Sequence, residues 1–403
     1  MTPKAFAFGK LAGALALISS LAHGAPSVVV TRPDEPIFTE PAATAARRGA
    51  AQPGSVLPTF AERRGPGCDG SFLMVGALAW ICSAGVEPSR LPAPSTRPAL
   101  ESVPDGLPFR YYFVGSDGSF GYREFDTAEE GSPDAQLFPG FGVAIRRERL
   151  RGSDPFGQST HGLWIPLRDL RPVRAPEFGG VELENDELAV LWVTEEGASL
   201  FSKPGQRSKL PGLSRFVVLR ALEERTLGKE RYFRVGENQW VRERDVRGPR
   251  RAAAPTSLRP GERWIDVDLE RQVLTAYAGS RAVFATLISS GRGADGSELA
   301  TPRGEHRIWV KLRSSDMDNL ENVEARESYA IQAVPWVMYF ERGYGLHGTF
   351  WHRAFGRVQS HGCVNLTPRD AKRLFDWTSP RLPSGWSAVF PTEYEPGTLV
   401  RVR

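Results

Sequence analysis

The chain has 403 residues, 41% hydrophobic and 24% charged, proportions ordinary for a soluble protein with room for two to four domains and a sizeable core. Its net charge of +4 permits attraction to an anionic polymer, but no dense Lys/Arg stripe with interleaved aromatics accompanies it, which argues against nucleic acid as a partner. The 41 glycines and 32 prolines are scattered rather than periodic, which predicts a mainly β chain of short strands and tight turns.

In chain order, Lys4 and Lys10 precede the apolar stretch Leu11 to Ala22, and Ala22-His23-Gly24 follows as a small-residue cleavage site. Residues 1–24 therefore read as a signal peptide, with an apolar run too short for a comfortable membrane span. The expected location is exported, in the periplasm or cell envelope. Residues 25–55, rich in Pro, Ala and Thr, read as an exposed linker. Three strand-rich modules are predicted next, at 56–100, 101–175 and 176–250. The second ends on Trp164-Ile165-Pro166-Leu167-Arg168-Asp169-Leu170-Arg171 and the third on Trp240-Val241-Arg242-Glu243-Arg244-Asp245-Val246-Arg247, a self-similarity that signals repeated units. Cys68 and Cys82 fall in the first module and are a candidate disulfide after export; the alternative is two buried free thiols. Cys363 is then the odd thiol.

These units resemble bacterial SH3-like domains, which implies small barrels and a role in binding the cell wall. A basic, Pro/Ala-rich linker is expected at 251–261, followed by a second kind of β-rich domain over 262–403. Trp264 to Leu269 alternates apolar and polar residues as a half-buried strand should, which places Asp266 and Asp268 on its solvent face. Asp316 and Asp318 read as loop residues without a partner. One helix is predicted, opened by Thr367 as N-cap and Pro368 in its first turn, and continuing through Ala371 to Trp377.

The run Ser360-His361-Gly362-Cys363-Val364-Asn365, with His347-Gly348 upstream, sets one cysteine beside histidines and glycines. Only a thiolate attacks well, a nearby imidazole can take the thiol proton, and glycine leaves backbone N–H groups open to an acyl oxygen. Around this run, residues 262–392 resemble the L,D-transpeptidase (YkuD-like) catalytic domain. Ser289-Ser290-Gly291-Arg292 and Thr301-Pro302-Arg303-Gly304-Glu305-His306 add to the pattern. The resemblance implies a β-rich catalytic domain with few helices, in which Cys363 is the nucleophile, His347 its base and the Gly348 carbonyl the group that orients the base. It implies Gly362 and Cys363 N–H groups as oxyanion donors, and Ser360, His361 and Asn365 as substrate-binding residues that shape the loop and the acyl-donor pocket. Tyr344, Trp351 and His352 are placed at the substrate cleft. The chemistry implied is attack on a peptidoglycan stem peptide between residues three and four, through a thioester, and transfer to an amine acceptor with no cofactor. The alternatives are an L,D-carboxypeptidase or endopeptidase using the same thioester, or a non-catalytic wall-binding protein.

The remaining histidines read as structural. His161 precedes a glycine but no cysteine follows at the right distance, and His306 falls in a predicted edge strand. His352 is the competitor for the base. A metal site is disfavoured, because the His/Cys cluster lacks the tight ligand pairs and a completing carboxylate or second cysteine.

Overall fold

Short runs rich in β-branched and aromatic residues, cut by glycine and proline, form strands throughout the described residues. The computed structural model describes residues 26–93, 105–319 and 329–403; the expected signal peptide lies outside them. Among the described residues the fold is mainly β, with a single α-helix, Pro368–Trp377. Thr367 caps that helix as anticipated, its side chain accepting the Asp370 N–H at 3.2 Å. At the other end the wholly buried Lys311 donates to the carbonyls of Phe375 and Thr378, a cation where helix carbonyls converge.

Two sheets enclose the C-terminal core. In one, Arg263–Asp268 pairs with Val273–Ala278 and, in parallel, with Leu399–Val402; Gly304–Arg307 is the edge strand. In the other, Val310–Asp318 and Ala330–Glu341 form a long hairpin, beside which Tyr344–Gly348 lies parallel to Val364–Leu366. Ile265, Val267 and Leu274 from the first sheet pack against Met338, Leu346 and Leu366 of the second and against Leu374 and Phe375 of the helix.

Two expectations about acidic residues fail here, each because the fold brings a basic side chain from elsewhere in the chain beside the carboxylate. Asp266 and Asp268 are buried, because the parallel strand brings Arg401 and Arg403 beside them. Arg401 reaches Asp266 at 2.6 Å, and Arg403 reaches Asp266 at 2.9 Å and Asp268 at 2.8 Å. Asp316 lies in a strand rather than a loop and has a partner, His161, at 2.5 Å.

All three upstream modules end alike, as a strand, a 3₁₀ turn and a second strand: Ala79–Cys82 to Val86–Ser89, Trp164–Pro166 to Leu170–Pro172, and Gln239–Arg242 to Val246–Arg247. Each first strand buries a tryptophan under an arginine, with Arg63, Arg147 and Arg225 at 5.7, 5.2 and 5.2 Å from the rings of Trp80, Trp164 and Trp240. The first module shares this ending although its sequence lacks the Arg-Asp pair. Cys68 and Cys82 are disulfide-bonded in it.

The segment expected as an exposed linker at 25–55 instead forms three strands, Ser27–Val30, Glu35–Phe38 and Arg47–Ala51. The last pairs with the C-terminal strand Trp386–Val389, and Gly49 is small because Trp386 lies against it: a Cβ there would meet the indole at 2.5 Å. Trp386 and Val389 are thereby part of the first module's core, with Val30, Ile37, Leu57 and Ile81. The second expected linker, 251–261, forms no strand but is docked too; Ala252 donates its N–H to Tyr277 Oη at 3.1 Å, and Leu258 packs beside Trp264 and Tyr277. Trp386→Ala is therefore expected to cost about 3–5 kcal/mol. Chemical denaturation would read it as one shifted cooperative transition, whereas an early separate loss of the first module would contradict the shared core.

Candidate active site

The parallel pairing of Tyr344–Gly348 with Val364–Leu366 sets His347 opposite Asn365. Side chains alternate along a strand, so Cys363, two residues before Asn365, falls on the same face as His347, one diagonal step away. The H-G and S-H-G-C parts of the motif thus meet through one strand pair. Gly362 has φ of +123°, open to glycine but strained for other residues, and an added Cβ would meet the Tyr344 ring at 2.4 Å. Glycine before Cys363 is required by this turn and by the packed tyrosine.

His347 is 2% exposed. Its Nδ1 lies 3.3 Å from the Gly348 carbonyl and 3.3 Å from Thr349 Oγ1. Donation of Nδ1–H to the carbonyl leaves the Nε2 lone pair as the basic position. Burial lowers the imidazole pKa to about 4, with the Gly348 carbonyl opposing. Cys363 is half-buried, and the loss of water pushes its thiol up. The thiol hydrogen bond runs to the Gly343 carbonyl at 3.8 Å rather than to the imidazole. Both groups are therefore neutral at rest near pH 7, not a preformed thiolate–imidazolium pair.

Ser360 fastens the loop. Its Oγ donates to the Cys363 carbonyl at 2.5 Å and accepts the Gly362 N–H at 3.1 Å. The Gly362 N–H, expected as an oxyanion donor, is instead engaged by Ser360 Oγ. Thr301 braces the same turn, donating to the Gly362 carbonyl at 2.7 Å. His361 is exposed, 2.9 Å from Arg292 and stacked on Tyr329.

His352, the rival base, has both ring nitrogens engaged. Nδ1 accepts the Ala354 N–H at 3.0 Å, and Nε2 is 2.8 Å from the Asn365 amide. Burial lowers this imidazole to about 4, so it is neutral and Nε2 carries its proton. The Asn365 amide then presents Oδ1 to His352, which also satisfies an oxygen otherwise buried without a partner. His352 is a structural tie to Asn365 and not a base.

Trp351 stacks on His347 with centroids 5.8 Å apart and planes at 20°. Tyr344 closes one side of a cavity of about 440 Å³ that Asp295, Ser297, Thr301 and Arg303 also line. The larger cavity, about 540 Å³, lies in the second module between Leu107 and Glu148 and shares no residue with the cysteine loop. Thr349 and the Gly343 carbonyl escaped the sequence reading; the first was detectable as the residue after His-Gly, the second only through strand register.

Residues 262–402 match the YkuD family, the L,D-transpeptidase catalytic domain. The C-terminal third of the chain therefore carries an L,D-transpeptidase catalytic domain. Among solved structures, the chain is similar to the catalytic domain of the Enterococcus faecium L,D-transpeptidase (26% identity, 36% of this chain and 98% of that one, TM-score 0.27). A mutant of the same enzyme matches at 25% identity over 36% of this chain, with TM-score 0.27, and there this chain spans 50% of the other's length. L,D-transpeptidase 3 of Mycobacterium tuberculosis matches at 20% identity, over 43% of this chain and 78% of that one, with TM-score 0.28. No curated protein matches the chain.

Proposed function

We propose that this protein is an exported, cysteine-dependent L,D-transpeptidase acting on peptidoglycan stem peptides. The observation that carries the reading is the single free cysteine, Cys363, on one face of a strand pair with a buried histidine whose Nδ1 is committed to the Gly348 carbonyl. As the thiol attacks the carbonyl between stem residues three and four, its proton passes to His347 Nε2 and an S–C bond forms. The C–N bond then breaks, and the same proton leaves with the amine of the terminal residue. An acceptor amine attacks the thioester, gives its proton to His347, and expels Cys363 sulfur, which recovers a proton from the imidazolium. The Cys363 N–H is the donor proposed for the oxyanion. Water in place of the amine would give hydrolysis through the same thioester, and the buried, aromatic-walled base disfavours water. Export is supported by the Cys68–Cys82 disulfide and by the N-terminal sequence. The SH3-like reading of the modules would add contact with the wall.

Intact mass after brief exposure to a carbapenem tests this reading. A stable adduct is expected on the wild type and none on Cys363→Ala. No adduct on a folded wild type would overturn it.

A further inference from the structure

The segment 349–359, which joins the base to the nucleophile loop, is held at its two ends by two different upstream modules. At the front, Tyr111 of the second module is 3% exposed and lies 4.3 Å, centroid to centroid, from Phe350. Phe350 meets Trp351 edge-on at 5.1 Å, and Trp351 stacks on His347. The second module is tied to the hairpin beneath through Tyr111 Oη on the Ala333 carbonyl at 2.5 Å and the parallel pairing of Gly142 with Ile331. At the back, Arg215 of the third module donates Nη2 to the Phe355 carbonyl at 2.9 Å. Phe355 lies 5.4 Å from the His352 ring, and His352 holds Asn365 on the nucleophile's own strand face. The fit at this end is tight, since a Cβ on Gly356 would meet Thr194 Cγ2 at 2.7 Å.

From this geometry we infer that the second and third modules form a clamp that positions the catalytic pair, with Tyr111 acting on His347 and Arg215 acting on the strand of Cys363. The inference rests on the reading of Cys363 and His347 as nucleophile and base. Neither residue touches the reacting atoms; each acts through an aromatic or hydrogen-bonded relay of two or three side chains. A module serving only as a wall tether would not need a fully buried ring against the base loop. Packed interiors transmit such shifts because they deform little, and sub-ångström misplacement of a reacting group is costly in rate.

The test uses the full chain carrying Tyr111→Leu, Tyr111→Phe, Arg215→Met or Phe125→Leu. Phe125 lies in the second module against Trp164 at 4.7 Å, outside the relay. Two quantities are read: the carbapenem acylation rate of Cys363, resolved into its binding constant and limiting rate, and the His347 titration by NMR. Tyr111→Leu is expected to lower the limiting rate on the order of ten- to a hundred-fold, with little change in binding, and to move the His347 midpoint upward as water reaches the ring. Tyr111→Phe, which keeps the ring, is expected to rescue both. Arg215→Met is expected to lower the limiting rate without moving the His347 titration, and Phe125→Leu to change neither quantity. Equal limiting rates and titrations in all four would overturn the clamp. So would an equal loss in Phe125→Leu, which would report general loosening of the module. If the wild type itself is not acylated, the transpeptidase reading fails, and the titrations of Tyr111→Leu and Tyr111→Phe decide the clamp by themselves.

Discussion

Replacing His347 with glutamine is expected to slow acylation of Cys363 at pH 7 by on the order of 10²–10⁴-fold, the usual share of a positioned general base. The size follows from the resting state. Burial raises the thiol and lowers the imidazole to about 4, so little thiolate exists until the substrate arrives. In the proposed mechanism the proton then moves to Nε2 as the S–C bond forms, and glutamine offers no basic nitrogen for it. The pH dependence separates this from simple damage. The wild-type rate should hold level from about pH 5.5 upward, since the base is already neutral there. The variant should instead gain about ten-fold per pH unit toward alkaline pH, as hydroxide supplies the thiolate. Iodoacetamide gives an independent check: a neutral pair alkylates slowly at pH 6, and rapid alkylation there would mean a preformed ion pair.

The parts of this site that were legible in the sequence are those built from neighbours along the chain. The His-Gly and Ser-His-Gly-Cys runs each fix a local turn, and Thr367-Pro368 fixes a helix start, so residue type and spacing suffice. What escaped is long-range. Arg47–Ala51 reads as linker because it lies in a Pro/Ala-rich stretch, yet its Gly49 is small because Trp386, more than three hundred residues away, needs the space. Asp266 alternates correctly for a wet face, and only the pairing with Leu399–Val402 brings two arginines over it. The Gly362 N–H looks free in the motif because the sequence cannot show that Ser360 Oγ folds back onto it. The shared endings around Trp164 and Trp240 were visible in the sequence, but the docking of these segments was not, since the contacts of Tyr111, Arg215 and Trp386 carry no sequence signature of their own.

Acid should weaken this protein in a defined window, and two histidines, the buried His347 and the half-buried His352, should account for much of the loss. Both are held near 4 in the folded state by burial, while an unfolded chain protonates histidine near 6.5. Above pH 6.5 neither state carries the protons, and the rings contribute nothing to pH dependence. Between 6.5 and 4 the unfolded chain binds protons that the folded chain refuses, so stability falls as pH falls and the loss is complete at about pH 4. For a shift of this size the loss is about 3 kcal/mol for His347 and somewhat less for the half-buried His352. A total near 5 kcal/mol is a large share of the stability of an ordinary domain. Urea midpoints at pH 7.0, 5.5 and 4.5 measure it, and the double variant His347→Gln, His352→Asn separates the histidines from the carboxylates that also titrate on the way down. The double variant should start less stable at pH 7, having lost the hydrogen bonds to Gly348 and Ala354, yet lose markedly less between pH 7.0 and 4.5. An unchanged acid slope in that variant would mean that the buried rings take up protons in the folded protein. The base would then be charged well above pH 4, and the account of a neutral resting pair would fall with it.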